Sequence, residues 1–232
     1  MTSLARNLHA AAQGHGLADL RIDVHRELTP GHSHPLQEWT ATFRAVQLAE
    51  GQTVTLGTAD LWIGDIYDAD LVNAADEMHG DLVTVVEAVV TELDALDDRP
   101  DSPVEDVIGG TILVVNEMRL EPKWRGFGLG PLLLAEVIES LRAGVDVVAC
   151  YPMPLPDRGD AINALPHGGE GLRRKGQASL QWTWRQVGFE PLCSNPEVFA
   201  LSLSTTSFDE HLQTLREEHQ PFLDSWWEPL AP

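Results

Sequence analysis

The stretch that most constrains this chain is residues 112–142, ILVVNEMRLEPKWRGFGLGPLLLAEVIESLR. Its start is apolar and β-branched, and Glu121-Pro122 ends the run, so residues 112–120 read as a strand. Arg125-Gly126-Phe127-Gly128-Leu129-Gly130 follows as a glycine-rich turn. Pro131 suits the first turn of a helix, where its missing N–H costs nothing. Leu133, Leu134, Val137, Ile138 and Leu141 then recur at helical spacing, and Gly144 is a natural stop.

A turn of this kind has a definite chemistry. Glycine lets successive backbone N–H groups face one concavity, and the following helix adds the partial positive charge of its N-terminus. Linked phosphates fit such a place. The turn equally serves geometry alone. A Rossmann dinucleotide loop is the sharper rival, but that fingerprint is G-x-G-x-x-G with an acid ending the next strand. Here the spacing is Gly126-x-Gly128-x-Gly130, and the next apolar run begins with its acid, Asp146.

Arg-x-x-Gly-x-Gly, preceded by a strand ending Leu-x-Pro and followed by a leucine-rich helix, resembles the acyl-CoA-binding motif of the GNAT acetyltransferase superfamily. The resemblance covers residues 108–204. It implies an α+β fold with a mixed, largely antiparallel central sheet flanked by helices and splayed at the acyl-CoA site. It implies that Arg125, Gly126, Phe127, Gly128, Leu129 and Gly130 hold the CoA pyrophosphate, with the main chain of Met118 and Leu120 on the pantetheine arm. Glu117 falls where the family often carries a base, although an ordinary solvent-facing strand carboxylate reads the same way. The tyrosine that often protonates the leaving thiolate is replaced by Trp184, and an upstream asparagine by Gln177. Tyr151 is then the candidate proton donor, or else a packed phenol. The implied activity is acyl transfer, acetyl being the commonest group, from coenzyme A to a small-molecule or peptide amine. The alternatives are a non-catalytic module on the same fold, for which Trp184 argues, and a dinucleotide-binding enzyme.

The rest of the chain reads as one domain of 232 residues, enough to bury a sizeable core. Residues 1–16 suggest an N-terminal arm and 20–28 a first strand. Residues 38–48 and 53–66 suggest a hairpin, and 68–98 suggest helix broken at Gly80. Residues 145–151 read as a buried strand and 152–177 as a long loop. A helix over 178–187 follows, then strands over 189–194 and 198–204. A polar helical tail over 205–232 ends in Phe222, Trp226 and Trp227, which pack on the body or against a second subunit. The family usually places helices between its first and second strands. Here they follow the third, so either a strand is miscounted or the N-terminal half diverges. Trp182, Trp184 and Phe189 suggest a cluster that is core or an acceptor-pocket wall.

Charge narrows the partners. The net charge is −21, and Arg99 is the only lysine or arginine between Asp60 and Asp106. Such a surface repels nucleic acid and anionic membrane and attracts cations. Lys123 and Arg125 beside the glycine turn, and Arg173, Arg174 and Lys175, stand out against it. No Cys/His spacing suggests a metal. Cys150 and Cys193 both fall in expected strands, as buried reduced thiols. No apolar run is long enough to span a bilayer and the N-terminus lacks a secretion-type core, so a cytoplasmic location is expected.

Overall fold

A computed structural model describes residues 17–26, 34–47, 51–78, 80–96, 101–107, 109–154 and 169–224, without the side chains of 17–19, 47, 169–175 and 220–224. The chain is α+β. An open seven-stranded sheet has the order β1-β2-β3-β4-β5-β7-β6. Three strands come first: β1 (Leu17–Arg26), β2 (Leu36–Gln47) and β3 (Gln52–Asp65). Helices α1 (Leu71–Met78) and α2 (Gly80–Asp94) follow, broken at Gly80 as expected. Then come β4 (Thr111–Leu120), α3 (Leu129–Leu141), β5 (Val147–Cys150), α4 (Gly169–Val187), β6 (Glu190–Pro191), β7 (Phe199–Ser202) and α5 (Ser207–Asp224). Among the described residues, both helices of the N-terminal half follow the third strand. The N-terminal arm and Trp226 and Trp227 lie outside the described residues.

Every strand pair is antiparallel except β4–β5. Two cores sandwich the sheet. Ile112 and Val114 of β4 turn toward α1 and α2, alongside Trp62, Val147 and Ala149. Leu113 and Val115 turn the other way, with Leu61, Val148 and Cys150, against α3, α4 and α5. Period-two alternation therefore serves two buried faces in the sheet centre.

Three expectations need correction. The long loop is shorter than expected, because helix α4 begins at Gly169 rather than at residue 178. Its first turns carry Gly169, Gly171 and Gly176, which mask a helical pattern. Cys193 is exposed and lies beyond β6, whose strand is only two residues long, whereas Cys150 is buried in β5. Burial pushes the Cys150 thiol well up, so it stays protonated. Trp182 is exposed while Trp184 and Phe189 pack edge-to-face at 5.0 Å. Residues two apart on a helix face opposite sides, so the three aromatics do not form one cluster.

Glu92 on α2 is a buried carboxylate at 0% exposure. It accepts hydrogen bonds from the backbone N–H of Ser194 (2.6 Å) and Cys193 (3.3 Å), fastening the β6–β7 connection to the helix. Burial alone would raise its pKa; the hydrogen bonds from Ser194, Ser102 and Cys193 outweigh that and hold it below the ordinary carboxylate value. A depressed carboxylate contributes stability that is full above its unfolded pKa and lost as pH falls through its folded one. Glu92→Ala is expected to cost roughly 2–4 kcal/mol by leaving buried donors unpaired. Its denaturation midpoint should also depend less on pH in the acid range than that of the native chain, as chemical denaturation across pH 3–7 would measure.

Candidate functional site

Strands β4 and β5 run side by side only through Ile112↔Val147 to Val115↔Cys150. Two local features end the pairing. On β4, the register with β3 jumps from Leu61↔Val115 to Asp60↔Glu117, so Asn116 is an extra, bulged residue. A bulge bends its strand and re-aims the side chains beyond it. On the β5 side the chain continues Tyr151-Pro152-Met153-Pro154. Two prolines lack the donors a ladder needs, and the Met153 N–H donates back to the Tyr151 carbonyl at 2.7 Å. The strands part, and a groove of about 300 Å³ opens between them. Its walls are residues 115–120 and Arg125 on one side, Tyr151–Pro154 on the other, with Gly176, Ser179, Leu180 and Trp184 of α4.

The bulge also sorts the side chains. Met118 and Leu120 join the core under α3 to α5, while Glu117 stands opposite Asp60 on the other face. Were Asn116 a regular strand residue rather than a bulge, Glu117 would share the parity of Val115 and point into the apolar layer.

At the outer end of the groove the chain makes a 3₁₀ turn, Pro122–Trp124, anchored by Trp124 at 3% exposure. Lys123 Nζ lies 5.1 Å from the centroid of that ring. Arg125 Nε donates to the Leu120 carbonyl at 2.9 Å. That carbonyl keeps a second lone pair, as any peptide oxygen does. Gly126 (φ +79°) and Gly128 (φ +77°) then take left-handed conformations, which glycine adopts without strain. Among the described residues, Gly126, Phe127 and Gly128 donate no backbone hydrogen bond. Gly128 is the N-cap of α3 and supplies no capping side chain, and nothing lies within 4 Å of where a Gly126 Cβ would be.

Helix α5 holds the turn from behind. The buried His219 places one ring nitrogen 3.2 Å from the Gly128 carbonyl oxygen and the other 2.7 Å from that of Leu215. In a trans peptide the C=O and N–H point opposite ways, so the Leu129 N–H is directed away from α5. Arg216 grips Glu136 with two bonds of 2.7 and 2.8 Å, and Arg142 pairs with Asp209, tying α5 along α3.

The sequence-derived candidates thus converge. Glu117, Met118, Leu120 and Arg125 line one wall of the groove and Tyr151 the other, with Gly126 to Gly130 continuing from Arg125. Glu117 Oε1 accepts from Arg119 Nε at 2.8 Å. The Tyr151 hydroxyl donates to Glu197 at 3.4 Å; burial first, then the charges of Glu197 and Asp81, push its pKa up, so it keeps its proton at neutral pH. Trp184 lies in the wall at 8% exposure. The side chains of Arg173, Arg174 and Lys175 lie outside the described residues. Asp60 was not singled out from sequence. Burial, and then the Glu117 charge, raise its pKa, and Arg119 pulls it back. Only the strand register, set by the bulge, reveals that pair. Among the described residues no group of three His, Cys, Asp or Glu side chains is placed to hold a metal ion, and no helix is long and apolar enough to cross a membrane.

The left-handed turn gives a direct check. Gly126→Ala meets no neighbour, so its cost should be the backbone term alone, about 1–2 kcal/mol in thermal or chemical denaturation. A loss well above this would show that the turn is packed rather than open.

Compared with known proteins, the chain matches no family model, no curated protein and no solved structure.

Proposed function

We propose that this chain is an acyl-CoA-dependent N-acyltransferase working by direct transfer, in the manner of the GNAT superfamily that residues 112–142 resemble. The observation that carries the reading is the conjunction at the β4–β5 split. Among the described residues, a strand edge left unpaired walls a groove, and at its outer end stand a turn with unused amides, a helix N-terminus without a side-chain cap and two cations. On a chain of net charge −21, Lys123 and Arg125 supply the local positive charge an anionic thioester needs. The donor set fits a diphosphate: peptide N–H groups at a helix start, with Arg125 beside them. Pro131 removes one amide from that cradle.

Coenzyme A supplies an activated thioester when bound. The acceptor nitrogen forms a bond to the thioester carbonyl carbon, the C–S bond breaks with its electron pair leaving on sulfur, the thiolate takes a proton from solvent, and the amine proton goes to a base. Glu117, in the wall of the groove, takes that role directly or through water. Arg119 holds it in place and Asp60 completes an acidic patch that favours a cationic acceptor. Holding donor and acceptor in line accounts for most of the acceleration. Acetyl is the acyl group proposed.

Calorimetry with acetyl-CoA should show saturable one-site binding, weakened at least about tenfold by Arg125→Glu, which puts like charge beside the diphosphate. Turnover on an amine panel should fall about 10²–10³-fold in Glu117→Gln with acetyl-CoA affinity unchanged. Absence of binding would remove the transferase reading. A second reading has its own support: Trp184 is buried where the family often has a proton-donating tyrosine, and the Tyr151 hydroxyl is directed at Glu197. Tight acetyl-CoA binding without turnover on any amine would make this a CoA-binding module instead.

A further inference from the structure

Strand β1 is the outermost strand of the sheet and pairs only with β2 among the described residues. An open strand edge is a template for another strand. The next strand inward shows what a full neighbourhood does: Ala41, Phe43 and Ala45 of β2 are buried at 0–1% exposure. Beside them on β1, Ile22 is paired with Phe43 and Val24 with Ala41, and Leu20 falls in the register shift between Ala18 and Arg21; all three pack on the same core yet stay half-buried at the sheet's end. Arg21, Asp23 and His25 alternate with them and are exposed.

The order of these residues is what identifies the partner. Leu20-Arg21-Ile22-Asp23-Val24 is symmetric in character about Ile22, apolar against apolar and cation against anion. Two copies of β1 laid antiparallel about a two-fold axis at Ile22 would set Ile22 opposite Ile22, Leu20 opposite Val24, and Arg21 opposite Asp23 twice over. Neighbouring centres fare worse. An axis at residue 21 opposes two arginines, one at 23 opposes two aspartates, one at 24 sets Ile22 against Arg26, and one at 20 centres on the irregular stretch between Ala18 and Arg21. Opposite charges facing across an antiparallel pair are stabilising and like charges destabilising. Asp23 already bridges to Arg44 at 2.9 Å within its own chain, and a carboxylate accepts from two cations at once.

We propose that β1 is the contact between two copies of this chain, which join edge to edge into one continuous sheet of twice seven strands. The contact is isologous, as a two-fold axis demands, and closes on itself rather than propagating. This inference stands apart from the transferase reading, since the groove lies at the β4–β5 split on the far side of β2 and β3.

Sedimentation velocity on the full chain tests it. The native protein should sediment at twice the 25.5 kDa of one chain. Arg21→Asp and Asp23→Arg singly should each weaken the dimer at least about tenfold by opposing like charges, while the double exchange restores the opposition of unlike charges and the dimer with it. Far-UV circular dichroism checks the fold, and Asp23→Asn stands in if Asp23→Arg does not fold, with a smaller weakening expected. A monomeric native chain, because the edge is covered by the chain's own residues or left bare, overturns the proposal. So does a dimer indifferent to both single changes, which would place the contact elsewhere, or a double exchange that restores nothing.

Discussion

The structure depends on one constraint: the single parallel pair in the sheet can be held for only four residues on each strand. Up to Val115 and Cys150 the two strands share hydrogen bonds and bury side chains on both faces. Past that point Asn116 bends one strand away, and Pro152 and Pro154 leave the other chain without two of the donors a ladder would need. Backbone groups that leave the ladder must meet solvent, another part of the chain or a ligand, so the parting of the strands follows from hydrogen-bond accounting and needs no assumption about activity.

Around that opening the molecule divides its labour by rigidity. The groove walls belong to a central strand and to a helix packed on it, while the glycine turn is fixed through its neighbours. Trp124 pins the turn's entry, and α5 pins its exit through His219, with Arg216–Glu136 and Arg142–Asp209 spreading the attachment along α3. Each exposed ion pair alone is worth little. Together with the buried Phe208, Leu212 and Leu215 they fix the C-terminal helix against α3, and so fix where the start of α3 points.

Much of this was legible in the sequence because it rests on local chemistry. The strand, turn and helix of residues 112–142 declare themselves through β-branching, glycine, proline and leucine spacing, and the break at Gly80 falls where expected. The helix–strand order of the N-terminal half was legible too, although its departure from the resembled family invited a recount. The failures are non-local. Glycines in the first turns of α4 lower its helix propensity and hid its start. The two-residue β6 left Cys193 outside any strand. Asp60 could not be connected with Glu117 because their meeting depends on a one-residue offset between strands more than fifty positions apart. The same is true of Glu92, whose partners Cys193 and Ser194 lie about a hundred residues away.

The extra residue at Asn116 has a consequence for which properties of β4 matter. Because sides alternate along a strand, the count of residues between Val115 and Met118 decides which of them meets oil and which meets water. Were the same residues run on as an unbulged strand, the carboxylate and guanidinium of Glu117 and Arg119 would be delivered beneath α3, and Met118 and Leu120 would be turned to the opposite face. The chemistry of this wall is therefore written in the arithmetic of odd and even as much as in the identity of any side chain.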